Sequence, residues 1–167
     1  MARALVVMGV SGVGKSTVAA RVAERLGWPF IDGDDLHPAE NISKLTAGVA
    51  LTDADREPWL AAVRGWIDTH AARGESTVLA VSALRRRYRD ALRRADTEVL
   101  FAHLVVSPDT VRQRLARRTG HFMNPNLIDS QFATLEPLDA DEAGADFDAT
   151  RPLPALVAEI SDWLRSS

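Results

Sequence analysis

The segment that most constrains this chain is glycine-rich and ends in Lys15 and Ser16. Residues 9–16 read Gly-Val-Ser-Gly-Val-Gly-Lys-Ser and match the pattern G-x-x-x-x-G-K-[ST] at every position. The segment follows the apolar run 4–8 and precedes residues 16–26, where apolar side chains recur at helical spacing. A buried strand, a glycine-rich turn and an amphipathic helix in this order predict a loop that holds phosphate groups, whereas a chance glycine-rich turn lacks this setting.

Each part of this loop has its own predicted role toward a nucleotide. The glycines let backbone N–H groups turn toward the β-phosphate, Lys15 reaches the β- and γ-phosphates, and the Ser16 hydroxyl binds Mg²⁺. Thr17 is predicted to lie in the helix, close to the α-phosphate. The predicted nucleotide-binding residues of the loop are Gly9, Val10, Ser11, Gly12, Val13, Gly14, Lys15, Ser16 and Thr17.

Strand-like and helix-like segments alternate along the whole chain. Short apolar runs predict five strands, at residues 4–8, 29–31, 77–81, 100–106 and 147–149. Helical patterns fill most of the sequence between them, and the pattern between residues 36 and 74 is predicted to break near Gly48 and Pro58. This order predicts an α/β fold in a single domain, residues 1–167, with a parallel sheet of about five strands and helices on both faces.

Composition excludes several classes of function. The chain has 167 residues, no cysteine and a net charge of −3, which excludes disulfides, thiolate metal sites and cysteine nucleophiles. Neither nucleic acid nor a membrane is an expected partner, because the charge is slightly negative and no apolar run approaches the roughly 20 residues of a membrane span. Six arginines between residues 85 and 94 leave an RNA-binding module as an alternative, although Asp90 interrupts them. A cytoplasmic location is expected.

A second distinctive segment, Asp32-Gly-Asp34, follows the second predicted strand. Parallel strands end at one edge of the sheet, where ligands of open α/β folds bind. One carboxylate can hold the hydration shell of Mg²⁺ while the other accepts a proton from an attacking hydroxyl; an Asp-Gly turn is the alternative. The chain lacks the Asn-Lys-x-Asp pattern of guanine-specific GTPases, which favours a kinase that acts on a small acceptor.

Several short blocks over about residues 5–142 together resemble the gluconokinases. They are Gly9-Val-Ser-Gly-x-Gly-Lys-Ser-Thr17, Asp32-Gly-Asp-x-Leu-His-Pro38 with Asn41, Asp53-x-Asp-Arg-x-Pro-Trp59, Ser82-Ala-Leu with Tyr88-Arg89, Gly120-His-Phe and Gln131-Phe-x-Thr-Leu-Glu136. The resemblance implies a P-loop fold like that of nucleoside monophosphate kinases, ATP and Mg²⁺ as cofactors, gluconate as substrate, 6-phospho-D-gluconate as product, and a homodimer. Shikimate kinases are similar in architecture, so another small hydroxy acid such as shikimate is the alternative acceptor.

The resemblance also implies roles around the two aspartates. Asp34 is the predicted catalytic base and substrate contact, and Asp32 is the predicted outer-shell magnesium ligand beside Ser16. A carboxylate is a weak base, which suffices if the transition state is loose and the proton leaves late. His37 either orients the acceptor hydroxyl or caps the helix that starts near Pro38.

A sugar acid further requires a cation for its carboxylate and donors for its hydroxyls. Arg56 and Arg89 are the candidates for the carboxylate, because a guanidinium can bind it through two hydrogen bonds. An ion pair with a neighbouring aspartate is the alternative for Arg56. His121 and Gln131 are predicted substrate contacts, and a solvated surface position is the alternative for each.

The polar stretch 120–144 has weak periodicity and is predicted to be mobile. The resemblance implies that a lid, about residues 114–130, closes over ATP and excludes water. Arg114 and Arg118 are one helical turn apart, and both are predicted to bind ATP. Arg118 is also a predicted catalytic residue, together with Lys15.

Overall fold

The computed structural model describes residues 1–117 and 125–167 of the chain. Its strands are β1 Arg3–Met8, β2 Phe30–Asp32, β3 Thr77–Ala80, β4 Glu98–Val105 and β5 Gly144–Asp148. They form one sheet in the order β2-β3-β1-β4-β5, and all neighbouring strands are parallel. The predicted parallel sheet of about five strands is confirmed.

Helices connect the strands and cover both faces of the sheet. Within the described residues they are α1 Lys15–Leu26, α2 Ala39–Thr46, α3 Asp53–Ala71, α4 Arg86–Arg93, α5 Pro108–Ala116, α6 Pro125–Thr134 and α7 Leu153–Arg165. A short 3₁₀ helix, Gly33–Leu36, directly follows β2. In the part of the chain that the structure describes, no helix is long and apolar enough to cross a bilayer.

The central strand β1 is buried on both of its faces. Leu5 and Val7 pack into a cluster that includes residues of α1 and α7. Val6 and Met8 point the other way, into a cluster with residues of α3 and α4. Full burial of a Val or Leu side chain contributes about 1.5–3 kcal/mol, so β1 is firmly held and the loop that follows it leaves from the middle of the sheet.

One prediction about the helices was wrong. The helix around Pro58 does not break there, because α3 begins earlier, at Asp53, where Thr52 and Asp55 form a capping box that stabilises its first turn. Pro58 removes one backbone hydrogen bond, and the burial of Trp59 immediately after it holds the helix against the sheet. The described part of the stretch 120–144 contains α6, and its mobility stays a prediction.

Loops that follow β1, β2 and β3 meet at the carboxyl edge of the sheet. The N–H group of Gly9, just after β1, donates a hydrogen bond to the carbonyl oxygen of Ser82 at 3.3 Å. Asp32 is the last residue of β2, and β2 pairs directly with β3 through Asp32 and Ala80. The sheet therefore brings the glycine-rich loop and the aspartate pair together.

Candidate active site

The loop between β1 and α1 has the backbone of a phosphate-binding turn. Gly12 and Gly14 have φ angles of 84° and 96°, which residues with a side chain rarely adopt. Within the described residues, no side chain caps the start of α1. The first N–H groups of this helix can therefore bind an anion, which the helix dipole favours at the same position.

Lys15 is the first residue of α1, and its side chain returns to the loop. Its Nζ atom donates a hydrogen bond to the carbonyl oxygen of Val10 at 3.2 Å. Burial lowers the pKa of Lys15, and the charges of Asp34 and Asp32 act in the opposite direction. The ammonium group thus lies between the phosphate-binding turn and the two carboxylates.

Ser16 and Asp32 meet across the gap between α1 and β2. The Ser16 hydroxyl donates to Asp32 Oδ2 at 2.5 Å, and Asp32 Oδ1 accepts a hydrogen bond from the Asp34 N–H group at 3.0 Å. Hydroxyl and carboxylate oxygens are hard ligands of the kind that Mg²⁺ prefers. The donor set fits the magnesium role predicted for these two residues.

Gly33 explains why Asp34 lies close to the sheet. A Cβ atom at this position would lie 2.9 Å from Val81 Cγ2 and 3.0 Å from the carbonyl oxygen of Ala80. The indole N–H group of Trp59 also donates to the Gly33 carbonyl oxygen at 2.8 Å. Only a residue without a side chain permits this approach, so glycine sets the position of the 3₁₀ helix and of Asp34.

Asp34 is accessible to solvent, yet it lies in a crowded electrostatic environment. Desolvation by the surrounding chain is the largest cause that raises its pKa, and the charge of Asp32 adds to this effect. Lys15 and His37 act to lower the pKa, but the net shift is upward. A carboxylate with a raised pKa binds a proton more readily, which suits the role of a general base.

His37 is half-buried and stacks on Trp59, with the ring centroids 4.3 Å apart and the planes 11° from parallel. Its Nδ1 atom lies 3.2 Å from Nδ2 of Asn41. The alternative role as a helix cap is wrong, because α2 is preceded by Pro38 and, among the described residues, no side chain caps it.

Arg56 lies near the start of α3 and is partly buried. Its Nη1 atom donates to the carbonyl oxygen of Leu51 at 2.8 Å and to the Tyr88 hydroxyl at 3.2 Å. Tyr88 in turn donates to Asp53 Oδ1 at 2.5 Å. Within the described residues Arg56 forms no ion pair with Asp53 or Asp55, so one edge of the guanidinium is held in place by neutral acceptors.

Arg89 is placed differently from what its candidate role requires. The side chain is 0% exposed, and its Nε and Nη2 atoms donate to the carboxylate of Glu142 at 2.7 and 2.9 Å. Its Nη1 atom donates to the carbonyl oxygen of Ala83 at 2.9 Å. Because this guanidinium is committed to a buried partner, we do not retain Arg89 among the substrate-binding residues.

Arg114 and Gln131 both contact the phosphate-binding turn. Arg114 donates to the carbonyl oxygens of Val13 at 3.2 Å and Ala149 at 2.9 Å. The Gln131 amide accepts a hydrogen bond from the Ser11 N–H group at 2.6 Å and donates to the Ser11 hydroxyl at 2.9 Å. Gln131 therefore supports the loop in this structure, whereas its predicted role was contact with the acceptor.

Two predicted site residues, Arg118 and His121, lie outside the described residues. Three contacting residues were not predicted to take part: Asn41, Tyr88 and Glu142. Asn41 and Tyr88 stand in the blocks that resemble the gluconokinases, so that resemblance was the signal that could have identified them. Glu142 stands outside these blocks, in a polar stretch without periodicity, and carries no such signal.

Comparison with known proteins identifies the family of the chain. Residues 5–138 match the family described as AAA domain. A gluconokinase from Gluconobacter oxydans is 51% identical over 140 residues, which are 84% of this chain and 79% of that protein. The chain belongs to the gluconokinase family. The resemblance identified from the sequence blocks is thereby confirmed.

Two solved structures show the same relationship over nearly the whole length of this chain. A sugar kinase from Janibacter sp. is 43% identical with a TM-score of 0.94, and the alignment covers 99% of this chain and 95% of that one. A gluconokinase from Sinorhizobium meliloti is 40% identical with a TM-score of 0.85, covering 98% and 95%. The predicted P-loop kinase fold is confirmed.

Proposed function

We propose that this chain phosphorylates D-gluconate with ATP and forms 6-phospho-D-gluconate and ADP. The observation that carries the proposal is that Lys15 of the phosphate-binding turn and the pair Asp32 and Asp34 meet at one edge of the sheet. Membership of the gluconokinase family supports gluconate as the acceptor. The alternative acceptor, a hydroxy acid such as shikimate, is not favoured by these relatives.

At the γ-phosphorus the reaction forms one bond and breaks another. The acceptor hydroxyl oxygen bonds to the γ-phosphorus, the bond from that phosphorus to the β–γ bridging oxygen breaks, and ADP leaves with the electron pair. Asp34 takes the proton of the hydroxyl. Lys15 neutralises charge on the transferred group, and most of the catalysis comes from positioning and charge neutralisation.

Mg²⁺ is the ion proposed to accompany ATP, and Ser16 and Asp32 are the residues that would hold it. Ser16 offers its hydroxyl and Asp32 belongs to the outer shell. When bound, the ion neutralises charge on the phosphate oxygens. The Ser16–Asp32 hydrogen bond at 2.5 Å supports the proposal, because it places the hydroxyl of the proposed ligand next to the outer-shell carboxylate.

On the acceptor side, we assign the gluconate carboxylate to Arg56 and a gluconate hydroxyl to His37. Arg56 is fixed through Nη1 by Leu51 and Tyr88, which leaves the other edge of the guanidinium for a carboxylate. The charges of Asp34 and Arg56 each shift the pKa of His37. The three side chains therefore interact electrostatically.

On the nucleotide side, residues 9–17 and Arg114 are the proposed contacts of ATP. Arg114 is supported by its bonds to the turn and to Ala149. The lid at about residues 114–130, the roles of Arg118 and His121, and a direct contact of Gln131 with the substrate stay predictions.

Two broader predictions accompany the proposal. We expect a cytoplasmic location, and we expect a homodimer because the family resemblance implies one. Light scattering of the purified chain at micromolar concentration measures its mass, and a mass of twice 18.2 kDa is expected.

A coupled assay of ADP release tests the proposed function. With ATP and Mg²⁺ present, we expect ADP release on addition of D-gluconate and only background with shikimate, glucose or RNA. Phosphorus NMR of the product is expected to show a phosphate ester on the terminal carbon of gluconate. ATP turnover that ignores every sugar acid would contradict the proposal.

A further inference from the structure

Asn41 is a buried polar residue of α2 to which the proposed reaction assigns no role. It is 3% exposed. Its side-chain Nδ2 atom donates to the backbone carbonyl oxygen of Asp55 at 2.8 Å and lies 3.2 Å from Nδ1 of His37. One amide group therefore connects the start of α3 to the histidine beside Asp34.

The position of Asp55 decides which way the Asn41 amide points. A backbone carbonyl oxygen only accepts hydrogen bonds, so the Asn41 atom that faces it must be the NH₂ group. Asp55 is itself held firmly: its carboxylate accepts from Lys44 at 2.8 Å and from the Thr52 N–H group at 2.9 Å. The amide orientation therefore follows from fixed partners.

The amide orientation in turn decides the state of the imidazole. The second hydrogen of the Asn41 NH₂ group points at Nδ1 of His37, and Nδ1 can accept it only with its lone pair. In a neutral imidazole the single ring hydrogen then resides on Nε2. Among the described residues Nε2 has no hydrogen-bond partner, so it is an unused donor beside Asp34.

The surroundings favour the neutral ring. Burial lowers the pKa of His37, and the positive charge of Arg56 acts in the same direction, while Asp34 opposes both. Stacking on Trp59 fixes the plane of the ring. Both the net electrostatics and the stacking therefore favour a neutral ring with a restricted orientation.

We propose that Asn41 is a positioning residue that holds His37 as the Nε2–H tautomer, so that His37 donates a hydrogen bond to a substrate hydroxyl oxygen and takes no proton. This inference rests on the proposed function. It leaves Asp34 as the group that removes the proton, because a hydroxyl can accept a bond from His37 while it donates to Asp34. His37 is then excluded as the base.

The tautomer can be read directly from the nitrogen chemical shifts of the histidine rings. The chain has four histidines, and comparison with His37→Gln assigns the signals of His37. His70 and His103 provide an internal contrast, because their Nδ1 atoms face the carboxylates of Glu75 and Asp146 at 3.0 and 3.2 Å and must carry hydrogen. Spectra are recorded well above the ordinary histidine pKa of about 6.5.

We expect His37 to have a bare Nδ1 and a protonated Nε2, opposite to His70 and His103. In Asn41→Ala the His37 signals should move toward a mixture of tautomers. A wild-type spectrum in which Nδ1 of His37 carries hydrogen overturns the proposal, and this result requires no substrate to be known.

Kinetics of two His37 variants separate a donor from a base. Glutamine has an N–H donor near the position of Nε2 but cannot act as a base, and leucine has neither property. We expect His37→Gln to keep most of the wild-type kcat/KM for gluconate, and His37→Leu and Asn41→Ala to lose about three- to tenfold, the net effect of one hydrogen bond. The KM for ATP should not change.

Equal and large losses in His37→Gln and His37→Leu would overturn the donor role. A wild-type chain that phosphorylates no sugar acid would instead overturn the proposed function. The nitrogen shifts distinguish the two failures, because they report the tautomer whether or not gluconate is the substrate.

Discussion

At the scale of single residues, the site depends on how charges of opposite sign surround Asp34. Desolvation and Asp32 raise the pKa of its carboxylate, while Lys15 and His37 act to lower it. The same Lys15 is the predicted contact of the phosphates. The proposed proton acceptor and the predicted phosphate contact are therefore neighbours, as a direct transfer from ATP to a hydroxyl requires.

Replacing Asp34 separates chemistry from nucleotide binding. Asp34→Asn keeps the size of the side chain but removes the base, so kcat should fall by about 10²–10⁴-fold, while the affinity for a non-hydrolysable ATP analogue stays the same. Lys15→Ala should reduce both quantities, because its ammonium is the predicted contact of the phosphates. Coupled kinetics and titration calorimetry measure the two effects, and a near-normal kcat in Asp34→Asn would refute the assignment of the base.

At the scale of secondary-structure elements, prediction from sequence succeeded where the signal is local. Apolar runs located all five strands, and the loop pattern with its flanking strand and helix located the phosphate-binding turn. Contacts between distant elements were not predictable in this way. Gln131 contacts Ser11 across 120 residues of sequence, and no periodicity encodes that pairing.

Arg89 illustrates the same limit for charged residues. Its block resembled the gluconokinases, and an arginine after a central strand is a reasonable ligand for a carboxylate. The partner that occupies it, Glu142, lies 53 residues away. Sequence pattern identifies a guanidinium, but only the fold determines whether it faces a ligand or the core.

The junction between β2 and the 3₁₀ helix gives a prediction at this scale. Gly33→Ala would put a Cβ atom within 3.0 Å of β3, so we expect a loss of about 1–3 kcal/mol in unfolding free energy and a lower kcat, because Asp34 moves. Gly65→Ala in α3 is the matched control: nothing lies within 4 Å of its Cβ, and it should stabilise the chain by about 0.5–1 kcal/mol. Urea unfolding and kinetics distinguish them, and equal effects would contradict the role of Gly33.

At the scale of the whole molecule, a buried ion cluster links segments that are far apart in sequence. Glu142, just before β5, accepts hydrogen bonds from Arg89 of α4 and lies 2.7 Å from Arg93 Nη2. Arg89 also donates a hydrogen bond to the carbonyl oxygen of Ala83. The φ angle of Ala83 is 46°, which is unusual for a residue with a side chain. The cluster therefore fixes the turn after β3 at the edge where the site lies.

This cluster makes the stability of the folded chain depend on pH in the acidic range. Burial acts to raise the pKa of Glu142, but hydrogen bonds from Arg89 and the Asp139 N–H group, together with the adjacent Arg93 guanidinium, outweigh it and lower the pKa from 4.5 to about 2. A carboxylate whose pKa is lower in the folded state stabilises that state above its ordinary pKa. The contribution is therefore complete above about pH 4.5 and is lost as the pH falls toward 2.

Glu142→Gln should remove this dependence. At pH 7 we expect the variant to lose about 3–5 kcal/mol of unfolding free energy, because the buried guanidinium of Arg89 and the half-buried one of Arg93 lose their carboxylate. The difference from wild type should shrink as urea unfolding is repeated at steps from pH 7 to pH 3. Asp141→Asn is the control, because Asp141 is 69% exposed and pairs with Arg86 at the surface, where such pairs contribute little. A difference between wild type and Glu142→Gln that stays constant with pH would mean that the buried carboxylate stabilises the fold by packing rather than by its charge.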